Sequence, residues 1–154
     1  MGGGALSAPA MDDDIEISFD ASRLDVGVIH GFLATSYWSP GIPRAVVERA
    51  IAGSLCIGAY AGGAQVGFAR LVTDRATFAY LADVFVQPEH RGRGVSRRML
   101  AELFAHPDVQ GLRRMMLATR DAHGLYAAFG FAPLAVPGRF MERHDPEVYR
   151  VGGA

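Results

Sequence analysis

The sequence predicts a mixed α/β fold in which one largely antiparallel sheet is flanked by helices. Short apolar segments typical of strands alternate with segments of helical spacing. Two of the strand segments, residues 55–60 and 65–72, are separated by Gly62 and Gly63, which is typical of an antiparallel hairpin. The 154 residues, half of them hydrophobic, suffice for one core. We therefore predict a single domain with the order β-α-α-β-β-β-α-β-α-β(-β).

The elements before the hairpin begin after a tail. Residues 1–12 are mostly small, so we expect a flexible tail there and a single domain over 13–154. Residues 15–19 alternate and predict a strand. Asp20 or Ser22 suits the N-cap of a helix whose apolar residues lie at positions 24, 28, 29 and 32. Pro43 suits the first turn of a second helix, which extends to about residue 52.

The elements after the hairpin include the remaining strands and helices. Residues 77–86 predict a third neighbouring strand, and a loop rich in Gly and Arg then leads into a helix that ends at His106 and Pro107. Residues 115–118 predict another strand. Asp121 can cap a short helix that ends at Gly130. Residues 133–136 and 140–142 predict final apolar strands, which are candidates for a homodimer interface.

Composition excludes several classes of function. A net charge of −1 argues against a nucleic-acid or anionic-membrane partner. No apolar run is long enough to cross a membrane, and the N-terminal residues lack the features of a signal peptide. Cys56 is the only cysteine, so we expect a buried structural thiol, no disulfide and no cysteine-based metal site. We expect a cytoplasmic protein without a metal.

The loop between residues 91 and 96 predicts a site for a phosphate-bearing ligand. A helix that begins directly after such a loop presents unpaired backbone N–H groups and a positive dipole end. Gly92 and Gly94 allow close approach of the backbone, while Arg91 and Arg93 supply charge. A dinucleotide fingerprint needs a glycine where Arg97 stands, and a P-loop needs a lysine, which the chain lacks. The ligand is therefore of another kind.

Three segments together carry a resemblance to a known family. They are Arg91-Gly-Arg-Gly-Val-Ser96, the preceding Val84-Phe-Val-Gln-Pro88, and the later Leu125-Tyr-Ala-Ala-Phe-Gly-Phe131. This combination resembles the GNAT superfamily of N-acetyltransferases, although Ser96 stands where the family has Gly or Ala. Residues 80–86 are also similar to the diamine acetyltransferases, which have a Glu at the position of Ala82; the absence of this Glu argues against simple polyamine chemistry.

The resemblance implies acetyl-CoA as cosubstrate and a GNAT-like fold. Its pyrophosphate would meet the loop, and its pantetheine would lie between two separated strands, where Thr119 stands near a position often occupied by Asn. The implied contacts are Val84, Phe85, Val86, Arg91, Gly92, Arg93, Gly94, Val95, Ser96 and Thr119.

The resemblance also implies catalytic residues. Tyr126 stands where the family has its general acid, which protonates the departing thiolate. Asp83 is the best base, acting directly or through water, and Glu89, His90 and His123 are further candidates. Alternatively, Tyr126 is a core aromatic and Asp83 a structural carboxylate.

The acceptor site is predicted to include Tyr37, Trp38, Phe68 and Arg70, where the aromatic pair is either an entrance or a lid. Arg70 would suit an acceptor with an apolar or acidic portion. We expect direct transfer to a primary amine of a small molecule, peptide or protein in a ternary complex. The alternative is a non-catalytic module of the same fold that binds or senses acyl-CoA.

Overall fold

A computed structural model describes residues 14–150, in which five strands form one sheet whose spatial order follows the chain. The first four strands pair antiparallel, and the last pair is parallel. The predicted mixed, largely antiparallel fold is confirmed, while the predicted tail over residues 1–12 lies outside the described residues. The strands are β1 (Ile15–Ser18), β2 (Leu55–Ala61), β3 (Ala64–Thr73), β4 (Phe78–Val86) and β5 (Arg114–Leu117).

Four α-helices flank the sheet: α1 (Val26–Leu33), α2 (Arg44–Ala52), α3 (Val95–Phe104) and α4 (His123–Ala127). Asp25 caps α1 by accepting the N–H of Val28. Neither Asp20 nor Ser22, the two alternatives from the sequence, is this cap: Asp20 caps the short 3-10 turn Ala21–Arg23, and Ser22 lies within that turn. In the described part of the chain, no helix combines the length and apolar character needed to cross a bilayer.

Two hydrophobic clusters hold the helices on opposite faces of the sheet. Adjacent residues of a strand point to opposite faces, and Phe68 and Ala69 of β3 accordingly belong to different clusters. The cluster of Ala69 includes Met99 and Leu100 of α3, which are fully buried. The cluster of Phe68 joins α1 and α2 to the sheet. In this cluster the ring of Phe85 stacks on the ring of Phe32 of α1, with 4.1 Å between the ring centres.

A bulge interrupts the pairing of β3 with β4. Phe68 is opposite Phe85 and Arg70 is opposite Ala82, so two residues of β4 face one residue of β3. Asp83, within this bulge, adopts a φ of +57°. The pairing of β4 with β5 covers only Phe78–Leu81 and Arg114–Leu117, and beyond it the two strands separate. This opening, here called the β4–β5 gap, positions the candidate site.

The C-terminal strands predicted at residues 133–136 and 140–142 are wrong. Among residues 128–150 the structure contains no strand, only the 3-10 turn Pro137–Arg139. Pro133 and Pro137 flank the first segment and lack an N–H for pairing, and Leu134 and Val136 are exposed. These residues connect the sheet to a segment at 144–149 that reaches back to the α1–α2 loop.

The short helix α4 differs from its prediction at the start. Its N-cap residue is Ala122, and no side chain caps it, so Asp121 does not have the capping role that the sequence suggested. Thr119 Oγ1 instead accepts the N–H of Ala122 at 3.0 Å. Gly130 adopts a φ of +92°, as expected for a glycine that follows a helix.

Candidate active site

A cavity of about 520 Å³ lies against the β4–β5 gap. Its walls come from the aromatic loop before α2, the bulged part of β4, the segment after β5, one face of α4 and the C-terminal segment. The lining residues are Tyr37–Pro40, Ile42, Arg70, Tyr80–Val84, Leu117–Thr119, Asp121, Ala122, Tyr126, His144–Pro146, Val148 and Tyr149.

The cavity brings together seven of the residues named from the sequence and leaves others out. Those in its wall are Tyr37, Trp38, Arg70, Asp83, Val84, Thr119 and Tyr126. Phe68 has no exposed surface and packs beside Phe85 behind the cavity wall. An acceptor in the cavity therefore cannot contact Phe68. Glu89, His90 and His123, the further base candidates, are not in the wall.

Asp83 is held by two side chains from different parts of the fold. Arg70 Nε donates to Asp83 Oδ2 at 2.7 Å, and Trp38 Nε1 donates to Asp83 Oδ1 at 2.8 Å. The two charged side chains are only 18% and 9% exposed, for Arg70 and Asp83 respectively. Because each carboxylate oxygen has a fixed donor, the group is oriented, and a substrate amine that reached it would share those oxygens.

Arg70 does not face the cavity as an uncompensated cation. Besides its ion pair with Asp83, its Nη1 donates to Ser54 Oγ at 3.0 Å, and that hydroxyl donates to the carbonyl of Ala50 at 2.7 Å. The guanidinium is therefore neutralised and fixed from behind. The expectation that Arg70 favours an acidic acceptor loses its basis.

Tyr126 lies in the cavity wall with 9% of its surface exposed. Burial raises the pKa of its phenol above the usual range, and the nearby Tyr37 adds to the increase. Within residues 14–150, no group hydrogen-bonds to its hydroxyl, while the ring packs edge-on against Phe131 at 6.2 Å. The phenol thus keeps its proton at neutral pH and can donate it into the cavity.

The loop before α3 has the backbone that the sequence predicted. Gly92 and Gly94 adopt φ values of +79° and +76°, and a Cβ on either would meet nothing within 4 Å. No side chain caps the N-terminus of α3, and its first turn contains no acidic residue. Arg91 Nε donates to the carbonyl of Val86 at 2.9 Å, which ties the loop to the end of β4. The helix end therefore suits an anion.

Cys56 is a buried thiol behind the site. It is 8% exposed, and burial raises its pKa to about 11, with Asp83 adding to the effect and Arg70 opposing it. At neutral pH almost none of it is thiolate, the form that attacks an acyl group. In the part of the chain that the structure describes, no group of His, Cys, Asp and Glu side chains is arranged to hold a metal ion.

The sequence of the chain also matches the model of a known family. The model of the Acetyltransferase (GNAT) family matches residues 23–131, which is well over half of the chain. The chain belongs to the GNAT family of acetyltransferases. The matched region contains the β4–β5 gap, the glycine loop and Tyr126, whereas the cavity wall at residues 144–149 lies outside it.

Individual relatives agree with this membership. FG08082 of Gibberella zeae, assigned by name to the acetyltransferases, is 33% identical over 136 residues, which cover 73% of this chain and 76% of that protein. A crystal structure of a Xanthomonas campestris protein assigned to the GNAT family is 54% identical with a TM-score of 0.86, covering 88% and 96% of the two chains. An acetyltransferase of Clostridium acetobutylicum, solved with acetyl-CoA, shares the fold at 15% identity and a TM-score of 0.62, covering 84% and 94%.

The C-terminal part of this GNAT cavity was missed by the sequence analysis. His144, Asp145 and Tyr149 line the wall, although residues near them were expected to end a sheet. The contact that places this segment involves Gly41 and is visible only in the structure. The φ of Gly41 is +77°, and a Cβ there would lie 3.3 Å from the carbonyl oxygen of Tyr149, so the Pro-Gly turn makes room for the C-terminal segment.

A second missed contact closes the rim on the other side. The guanidinium of Arg120, after β5, lies 3.8 Å from the centre of the Tyr37 ring. Together with the bond between Trp38 and Asp83, it fastens the aromatic loop across the β4–β5 gap. The loop is thus both a wall of the cavity and a cover over it.

Proposed function

We propose that this GNAT protein transfers an acetyl group from acetyl-CoA to a primary amine by direct attack in a ternary complex. The observation that carries the proposal is the β4–β5 gap, with an uncapped helix N-terminus after one strand and a cavity containing Tyr126 beside the other. A long ligand with a pyrophosphate at one end and a reactive thioester at the other suits this arrangement. The Clostridium acetobutylicum relative solved with acetyl-CoA supports the choice of donor.

The proposed donor site follows the glycine loop and the gap. The N–H groups from Gly92 to Ser96 would receive the pyrophosphate, with Arg91 and Arg93 adding charge. The backbone of residues 84–86 would contact pantetheine. Thr119 Oγ1 already accepts the N–H of Ala122, which leaves its own proton available for a pantetheine carbonyl.

The proposed reaction forms one bond and breaks one. The neutral amine attacks the thioester carbon, a C–N bond forms, and the C–S bond then breaks. A backbone N–H near Val86 is proposed to stabilise the intermediate oxyanion. Tyr126 gives its proton to the departing thiolate, and the amine proton passes to Asp83 directly or through water that Asp83 orients. No acyl-enzyme on Cys56 is needed, and its buried thiol is unsuited to forming one.

Thermal unfolding with and without acetyl-CoA tests the donor site. A ligand at a hundredfold excess over its Kd stabilises a protein by roughly 2.7 kcal/mol, which raises the Tm of a protein of this size by about 5–10 °C. The double variant Arg91→Glu and Arg93→Glu should lose the increase. Arg113→Glu, an exposed charge reversal elsewhere, should keep it. No increase at millimolar acetyl-CoA in the wild-type protein would contradict the proposal.

Release of CoA thiol over a panel of amines tests catalysis. Turnover with any amine supports the transferase. A raised Tm without thiol release from any amine would instead support the acyl-CoA-binding module as the function. The strands from which we expected a homodimer interface are absent from residues 14–150. The oligomeric state therefore has to be measured, for example by sedimentation.

A further inference from the structure

The C-terminal segment, residues 144–149, forms part of the cavity wall. It contributes His144, Asp145, Pro146, Val148 and Tyr149 to the wall. Tyr149 packs against the hydrophobic cluster under α1 and α2, and its backbone lies within contact of Gly41. The segment therefore faces whatever molecule occupies the cavity.

The cavity wall contains more carboxylates than guanidinium groups. Its one guanidinium, that of Arg70, is paired with Asp83, which leaves Asp121 and Asp145 as the other carboxylates in the wall. Within residues 14–150, neither of these two forms an ion pair. Asp145 uses Oδ1 to accept the N–H of Glu147. The charge of Arg120 lies outside the wall, against Tyr37.

The remaining wall is largely aromatic. Tyr37, Trp38, Tyr80 and Tyr149 all line the same space. Aromatic faces attract cations, and Tyr37 already holds one at the rim. A cavity that combines aromatic rings with unpaired carboxylates suits a positively charged ligand, and it disfavours a carboxylate at the same place.

We propose that the C-terminal segment selects acceptors that carry a second positive charge besides the reacting amine, with Asp145 as the specificity-determining residue. This inference rests on the proposed acetyl transfer, because it takes the cavity as the acceptor site. Because Tyr126 and Asp145 line the same cavity, an acceptor whose reacting amine lies beside Tyr126 can present a second charge to the C-terminal wall. This charge would meet Asp145, and not residue 82, where the diamine acetyltransferases have a Glu and this chain has Ala. Diamines and small basic amino-acid derivatives have this chemistry.

Three acceptors of equal chain length test the selection: cadaverine, pentylamine and 5-aminopentanoate. Exposed charge pairs contribute up to about 1 kcal/mol, so we expect a roughly three- to fivefold preference per reactive amine for cadaverine over pentylamine. We expect 5-aminopentanoate to be the poorest. The difference should lie in KM more than in kcat. Equal efficiencies per amine for cadaverine and pentylamine would overturn the inference.

Asp145→Asn keeps the Oδ1 that accepts the Glu147 N–H but removes the charge, so the fold of the segment is preserved. We expect this variant to lose the cadaverine preference. Glu147→Gln is the matched control, because Glu147 pairs with Arg150 in the same segment and does not line the cavity. An unchanged preference in Asp145→Asn, or an equal loss in Glu147→Gln, would overturn the role of Asp145.

Binding separates this inference from the proposed function. Calorimetry with the CoA-bound protein gives Kd for cadaverine and pentylamine without requiring turnover. Tighter cadaverine binding that Asp145→Asn abolishes supports the selection even if thiol release fails. Thiol release with equal Kd values for both amines supports the transferase and overturns only the selection.

Discussion

The indole of Trp38 donates a hydrogen bond of 2.8 Å to Asp83, 45 residues later in the chain. This bond joins the aromatic loop to the bulge of β4, where Asp83 adopts a φ of +57°. A non-glycine residue in that conformation costs about 1 kcal/mol or more. The bonds from Trp38 and Arg70 help to offset this cost, so the cover of the cavity and the β4–β5 gap depend on each other.

Trp38→Phe should remove the donor while keeping an aromatic ring. We expect a loss of about 1 kcal/mol in the free energy of unfolding, as for one hydrogen bond. The KM for the amine should rise several-fold, while the Kd for acetyl-CoA should stay the same. Denaturant unfolding and steady-state kinetics measure these quantities. A weakened Kd for acetyl-CoA with an unchanged amine KM would contradict the link between this bond and the acceptor side.

Asp83→Asn should distinguish a base from a positioning group. The amide oxygen can still accept from Trp38, but the charge that pairs with Arg70 is lost. If Asp83 accepts the amine proton, kcat/KM should fall by about 10²–10⁴ and the acidic limb of the pH profile should change. An unchanged acidic limb with a modest fall would assign proton acceptance to water and leave Asp83 a positioning role.

Tyr126→Phe should lower kcat by about 10²–10⁴ without affecting binding of acetyl-CoA. The phenol works in its protonated form, and burial raises its pKa above that of a free tyrosine, so ionisation of the phenol should lower the wild-type rate only at a more alkaline pH than for a free tyrosine. Tyr60→Phe is the control, since it removes a buried hydroxyl that lacks a partner in the described structure. If the kcat of Tyr126→Phe equals that of the wild-type protein, Tyr126 is not the general acid.

Gly94→Ala should weaken acetyl-CoA binding at least tenfold, because a Cβ would stand where the pyrophosphate approaches. Gly111→Ala is a matched control: Gly111 has a φ of +73° and equally open surroundings, away from the loop. Both variants should lose about 1 kcal/mol of stability from the left-handed conformation. Only Gly94→Ala should reduce the increase in Tm with acetyl-CoA. Equal increases in the two variants would contradict the placement of the pyrophosphate.

Cys56→Ala should retain turnover, because the transfer that we propose is direct and forms no acyl-enzyme on the thiol. Folding raises the pKa of Cys56 from 9.0 to about 11, so it favours the neutral thiol. The unfolded chain ionises first as the pH rises. The associated stability is therefore complete below about pH 9 and is lost progressively as the pH approaches 11. Denaturant unfolding at several pH values should show that the free energy of unfolding falls less in this interval for Cys56→Ala than for the wild-type protein.

Much of the sheet could be predicted because its signals are local. The Gly62-Gly63 hairpin and the alternation along β1 depend on neighbouring residues, and the left-handed conformation of Gly94 follows from the turn it makes. The bulge at Asp83 could not be predicted, because it depends on how β3 and β4 align. Phe68 and Arg70 were both predicted for the acceptor site, but of the two only Arg70 lines the cavity. Only the structure shows that α1 covers the first and not the second.

The C-terminal segment failed as a prediction for a different reason. The apolar residues at 133–136 form a strand only if a neighbouring strand offers a partner, and Pro133 and Pro137 weaken that pairing. The contact of Tyr149 with Gly41 spans more than a hundred residues. No local pattern encodes such a contact, so the wall that carries Asp145 became visible only in three dimensions.

The order of strands in the sheet also has a consequence for folding. The strands β2, β3 and β4 are antiparallel neighbours joined by short loops, whereas α1 and α2 lie between β1 and β2 in the chain. The parallel neighbour β5 requires the chain to cross over through α3 first. Contacts between distant residues form slowly because closing long loops costs entropy. We therefore expect β2, β3 and β4 to associate first, and the junctions of β1 with β2 and of β4 with β5, and with the latter the opening beside Asp83, to be assembled later during folding.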